Sequence, residues 1–259
     1  MPAPEQPIGP PLPHWAPATR PAAVRLTGRH CRLEPLTGEH APALFAAYRQ
    51  DRSGRLWTYL PYGPFVSAAD YAGWIASMAA DPGVHLLAIL DAATGVPTGV
   101  GGYLRMKPAG GSIEVGHLAF SPALQGTTAA TEAMYLMAGH AFDELGYRRY
   151  EWKCDALNAA SFAAARRLGF TPEGIWRQAT IYKGRSRDTA WLAMTDGDWS
   201  RLRPAYEAWL DPANFAPDGS QKSALRTLTA AALITPAPRE DLLGETAPAP
   251  AAPTGWPEP

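Results

Sequence analysis

Cysteine is nearly absent: Cys31 and Cys154 are the only two in 259 residues. A disulfide-built fold is therefore excluded. Two thiols leave room for one bridge and fit a reducing compartment better. Charge of one sign is also lacking, since 23 Lys and Arg meet 24 Asp and Glu for a net charge of −1. No electrostatic footprint points to nucleic acid or to a membrane surface, so neither is expected as a partner. No apolar run approaches a membrane span, and no basic segment followed by an apolar run opens the chain, so a cytoplasmic protein is expected. Reactive-site motifs are missing as well. There is no Gly-Lys-Ser/Thr for a phosphate-binding loop and no Gly-x-Ser-x-Gly elbow for a hydrolase. The scattered His and the two distant Cys have no ligand spacing, so no metal is expected.

What is present centres on residues 113 to 145. Ile113, Val115, His117 and Ala119 alternate with Glu114, Gly116, Leu118 and Phe120, a period-two strand. Pro122 closes it. Gln125 to Ala130 is a small polar loop. Ala130, Met134, Met137, Ala141 and Leu145 then recur at helical spacing. A loop entering a helix this way presents free N–H groups and the positive end of the helix dipole, which suits a phosphate or pyrophosphate.

The remaining chain reads in order. Residues 1–22 are Pro-rich, an expected disordered arm in which Trp15 is the one candidate anchor. Two short strands surround Gly28, and helices open at Thr37 and Ser67. Residues 53–65 form an aromatic loop. Strands are expected at 85–90, 96–106, 150–155, 170–183 and 188–195. Helices are expected at 158–168, closed by Gly169, and at about 197–210. The Ala/Pro-rich residues 213–259 lose periodicity and are expected to be mostly disordered. The working domain is thus 23–212. Its element order predicts a mixed α+β domain with a mostly antiparallel sheet, not a doubly wound nucleotide fold.

Four segments together resemble the GNAT N-acetyltransferases, and within them the RimJ/RimL-like branch: IEVGHLAFSPALQGTTAATEA, EWKCDALN, NAASFAAARRLGF, and Glu173-Gly174 with Arg177. The resemblance covers about residues 22 to 210. It implies acetyl-CoA, or another acyl-CoA, as cofactor. The pantetheine arm would lie on the backbone of Leu118, Ala119 and Phe120. The pyrophosphate would lie on Gln125, Gly126, Thr127, Thr128, Ala129 and Ala130, with hydroxyls of Thr127, Thr128 and Thr131 as added donors. Thr128 stands where the family's loop has Gly, a departure from its pattern. Asn158 and Ser161 match positions beside the cofactor. Many family members carry a Tyr acid on the helix after Asn158; counting places Ala165 there, so Ser161 or water would have to serve.

Transfer to an amine needs a base, and Glu114 and His117 are the candidates. Strand alternation sends them to opposite faces, so one at most would reach the amine. Trp57, Tyr59, Tyr62, Tyr182 and Trp191 are candidates to line the acceptor site. On the late hairpin, Asp188 would favour a cationic acceptor and Arg177, Arg185 or Arg187 a carboxylate. The expected reaction is direct attack of a primary amine, from a small molecule or a protein N-terminus, on the thioester in a ternary complex. The alternative is a catalytically inactive acyl-CoA-binding or ligand-sensing domain. The sequence leaves the oligomeric state open, monomer or homodimer.

Overall fold

The computed structural model describes residues 8–233. Strands β1 (Leu26–Thr27), β2 (Cys31–Pro35), β3 (Val84–Asp91), β4 (Pro97–Lys107), β5 (Ser112–Phe120), β6 (Arg149–Asp155), β7 (Thr171–Tyr182) and β8 (Arg185–Thr195) form one sheet. Their order is β1-β2-β3-β4-β5-β6-β8-β7. Every pairing is antiparallel except β5 with β6. The helices are α1 (Ala41–Tyr48), α2 (Ala68–Ala79), α3 (Thr128–Gly139), α4 (Ala159–Arg167), α5 (Asp196–Leu210) and α6 (Leu225–Leu233). The mixed α+β expectation holds.

Strand alternation sorts side chains into two cores. Leu87 and Ile89 of β3, with Ile113 and Val115 of β5, face the α3 layer together with Met137 and Leu202. Ala88 and Leu90 of β3, with Ala119 of β5, face α1 and α2. Each fully buried Leu or Ile contributes about 1.5–3 kcal/mol, so a one-residue slip of β3 would be heavily penalised. Helix starts follow their caps: Ser67, Thr127, Asn158 and Thr195 each accept from a backbone N–H three residues on. α3 ends at Gly139, short of the expected Leu145, because His140–Glu144 winds into a π-helical turn. Cys31 and Cys154 are both buried free thiols.

Two expectations about the ends need revision. Within the Pro-rich arm, Trp15 Nε1 donates to the Ala109 carbonyl at 3.1 Å, and the N–H groups of Ala18 and Thr19 bond to Pro108 and Leu145. Residues 15–19 are therefore fixed to the β4–β5 turn. Within the Ala/Pro-rich tail, α6 packs on α5 with Leu225 and Thr229 buried, so packed structure runs to at least Leu233. Leu225, Leu228 and Ala232 supply the apolar side of that helix. Residues 1–7 and 234–259 lie outside the described residues.

One buried cluster predicts an acid sensitivity. Tyr103 Oη donates to the Met137 carbonyl at 2.8 Å and lies 3.2 Å from His140 Nδ1, while His85 stacks on its ring. Burial lowers the pKa of both histidines below 6.5, and the charge of His140 adds to the effect at His85. The unfolded chain thus takes up protons first as pH falls. Stability should be level above pH 6.5 and decline below it, with the urea midpoint lower at pH 5.5 than at pH 7.5 (about 1.4 kcal/mol per unit of pKa difference). His85→Phe should flatten part of that decline.

Candidate active site

β5 and β6 part company midway. Their ladder runs from Ser112↔Arg149 to Val115↔Trp152 and stops. β5 continues to Phe120 on β4, and β6 continues to Asp155 on β8. The facing edges of 116–120 and 153–155 therefore have no strand between them. A cleft of about 1240 Å³ opens there, lined by Gly116, His117, Leu118, Phe120, Gln125 and Lys153, and beyond them by Asn158, Ser161 and Trp191.

A β-bulge lies at the parting point. Gly102 pairs with Gly116, but Val100 pairs with Ala119, so His117 and Leu118 together oppose Gly101. His117 takes φ 51°. Gly101 makes room: a Cβ there would lie 3.2 Å from Leu118 Cδ2 and 3.1 Å from Met137 Sδ. The extra residue resets the alternation, so Glu114 and His117 both line the cleft. The expectation of opposite faces is corrected by this bulge.

The two candidate bases have different surroundings. Glu114 is buried between Arg105 at 2.7 Å and Lys153 at 2.8 Å. Lys153 also reaches Glu151 at 3.0 Å, and its Nζ lies 3.4 Å from the centre of the Trp191 ring. Glu114 is thus a paired carboxylate within a charge ladder. His117 stacks on Tyr62, and its Nδ1 lies 3.2 Å from Tyr62 Oη. Burial, then the charge of Arg105, holds its imidazole below its ordinary pKa, with Asp81 opposing. These surroundings favour the neutral imidazole.

On the expected cofactor side, Gln125 Nε2 donates to the Phe120 carbonyl at 2.7 Å and ties the loop to the strand end. Gly126 takes φ 73°, with open space where a Cβ would be. Thr127 caps α3: its hydroxyl donates to the Leu124 carbonyl and accepts from Ala130 N–H. Thr131 is buried and accepts from Arg167. The Thr127 proton is committed to Leu124 and the Thr131 hydroxyl is buried, which leaves Thr128 as the accessible hydroxyl. The first-turn N–H groups of Thr128 and Ala129 have no acceptor within the helix. Asn158 Oδ1 accepts from Ser161 N–H, and Ser161 Oγ accepts from Trp152 Nε1 at 3.0 Å. Ala165 is fully buried, whereas Ala164 lines the cleft. Alanine stands at both, so neither position offers a hydroxyl to the cleft.

On the expected acceptor side, Tyr59 and Trp191 line the cleft. Trp57 does not: it is buried against Tyr48 and Phe65 beneath α1 and α2. Tyr62 supports His117 from that same aromatic layer. Tyr182 Oη donates to Asp155 at 2.8 Å. Asp188 accepts from Gln178 N–H at 2.7 Å, holding a bulge in β7, so it is not aimed at an acceptor. Sequence reasoning missed Trp176, which stacks on Trp191 with centroids 4.2 Å apart. The signal was there: β7 and β8 pair in a hairpin that sets Trp176 opposite Thr189, diagonal to Trp191. Lys153 was missed because one lysine on an alternating strand reads as a solvated side chain.

The chain is similar to known acetyltransferases. The model for the acetyltransferase (GNAT) domain matches residues 30–171. A GCN5-related N-acetyltransferase from Brucella melitensis is 39% identical, with a TM-score of 0.82 over 85% of this chain and 100% of that one. A protein from Chromobacterium violaceum, described as a probable acetyltransferase of the GNAT family, is 42% identical, with a TM-score of 0.71 over 76% and 98%. RimL, a ribosomal L7/L12 alpha-N-protein acetyltransferase, shares the fold at 20% identity, with a TM-score of 0.58 over 69% and 99%. Among curated proteins none matches. Over more than half its length, this chain belongs to the GNAT acetyltransferase family.

Proposed function

We propose that the protein is an acetyl-CoA-dependent N-acetyltransferase of the RimJ/RimL-like branch, acting on the primary amine of a small molecule or a protein N-terminus. The observation that carries this reading is the missing strand between β5 and β6. The two strand edges face a slot with backbone hydrogen-bonding groups, and peptide-like amides are what such edges bind. The slot leads to the N-terminus of α3, where the N–H groups of Thr128 and Ala129 and the helix dipole suit a pyrophosphate. Acetyl-CoA supplies the acyl group as a thioester.

The chain's own residues supply the rest. Bulge backbone N–H groups near Leu118 polarise the acyl carbonyl. Neutral His117, oriented by Tyr62, takes the proton from the attacking amine, directly or through water. Glu114, held by two cations, keeps Lys153 and Arg105 in place beside it. Ser161, which lines the cleft and accepts from Trp152, is the hydroxyl that returns a proton to the departing thiolate, directly or through water. Apposition of the two reactants contributes independently of any side chain.

Thr128→Glu tests the placement of the cofactor. A carboxylate in the first turn favours the helix itself but repels a phosphate. Calorimetric titration should give micromolar binding of acetyl-CoA to the parent and about tenfold weaker binding to the variant, with unchanged thermal stability. Absence of binding at millimolar acetyl-CoA would overturn the reading. Thiol release on adding amines separates an enzyme from a binding module.

A further inference from the structure

The charges in the cleft are unevenly satisfied. Its carboxylates are all engaged within the protein. Glu114 and Glu151 are bridged by Arg105, Arg149 and Lys153. Asp155 accepts from Tyr182 Oη and from Leu157 N–H, both at 2.8 Å. Asp51 accepts from Ser53 Oγ at 2.6 Å and Leu56 N–H at 2.8 Å. Each of these carboxylates thus already holds at least two donors among the described residues.

Arg187 shows the opposite imbalance. It lines the cleft half-buried and has no ion pair among the described residues. Its Nε donates to Thr189 Oγ1 at 3.1 Å, and its guanidinium lies 5.6 Å from the centre of the Tyr182 ring. Those contacts orient the group and leave its two terminal nitrogens for a ligand. A partly desolvated cation without a counter-ion is costly. The planar pair of terminal N–H groups matches the two oxygens of a carboxylate. The cofactor's phosphates are not the natural partner. Arg187 lies on β8, across β6 from β5 and the loop that follows it.

Resting on the acyltransferase reading above, we infer that the acceptor is an amine that also carries a carboxylate, which Arg187 binds, and that polyamines are poor acceptors. Trp176, exposed and stacked on Trp191 at the same cleft wall, gives the acceptor's apolar part a flat surface.

The test is a panel of the common amino acids, their amides and spermidine, assayed for thiol release from acetyl-CoA. Amino acids should exceed their amides at least about tenfold in kcat/KM, the scale of a charge-assisted pair. Arg187→Gln should bring that ratio close to one while leaving KM for acetyl-CoA within about twofold, and Arg187→Lys should restore part of the ratio. Equal or better use of amides or spermidine would overturn the inference and leave the acyltransferase reading standing. So would a ratio that survives Arg187→Gln, or a rise in the acetyl-CoA KM instead. Transfer to no member of the panel would overturn the inference alone, and the acyltransferase reading would then stand or fall on acetyl-CoA binding.

Discussion

Glu132→Ala is expected to destabilise the protein by about 4 kcal/mol, given about 1–3 kcal/mol for each buried donor left without a partner. Glu132 sits on α3, 5% exposed, and its carboxylate accepts the N–H groups of Arg29, His30 and Cys31 at 2.8, 2.6 and 2.9 Å. These three bonds fasten the β1–β2 hairpin to the helix. The fit is close: a Cβ on Gly28 would come within 2.3 Å of the carboxylate. The same negative charge, after burial itself, raises the pKa of the Cys31 thiol, so that thiol is unreactive. With about 2–4 °C per kcal/mol for a chain of this size, the melting temperature should drop by about 8–16 °C. Glu132→Gln keeps one acceptor oxygen and should lose about half as much. A drop of under 2 °C for Glu132→Ala would show that the hairpin is held by packing alone (about 0.5–1 kcal/mol by the same scale).

His117→Ala should lower kcat about 10²–10⁴-fold while leaving acetyl-CoA affinity within about threefold, since positioned acid–base groups contribute on that scale. The pH profile distinguishes a base from a packing residue. The imidazole must be neutral to accept a proton, and burial with Arg105 nearby lowers its pKa from 6.5. The rate of the parent should therefore be level above pH 6.5 and fall as pH drops below it. The variant should lose that limb altogether. Tyr62→Phe removes the hydroxyl at His117 Nδ1 but keeps the ring beneath it, and should cost about tenfold in kcat. An unchanged limb in His117→Ala would assign the base elsewhere.

The legibility of this chain in its sequence divides along physical lines. Alternation and capping residues report local structure, so among the described residues all eight strands and five of the six helices could be read from patterns such as Ile113 to Phe120 or Ser67 to Asp70. α6 could not, because its alanines also suit a disordered tail, and only packing on α5 decides between the two. The side-chain partners were harder still. Thr127 and Thr131 read alike as hydroxyls near a phosphate loop. One is committed to its own helix cap and the other to Arg167, a residue 36 positions away. Trp57 reads as a binding aromatic and proves to be a core residue. Alternation alone sends Glu114 and His117 to opposite faces, because a one-residue bulge has no signature of its own. Gly101 opposite it in β4, with Gly99 and Gly102 close by, is the one available hint.

The parting of β5 and β6 also divides the sheet into two blocks. β1 to β5 form one, and β6, β8 and β7 form the other, joined in the sheet only by the four register pairs from Ser112↔Arg149 to Val115↔Trp152. A molecule lying in the slot therefore bridges both blocks as a ninth strand would. Amide hydrogen exchange should register this directly. In the free protein, the amides of 116–120 and 153–155 that point into the slot exchange early; with the slot filled they slow. The protection should extend to the far strands of both blocks, because opening either one would then require the bridge to be released first.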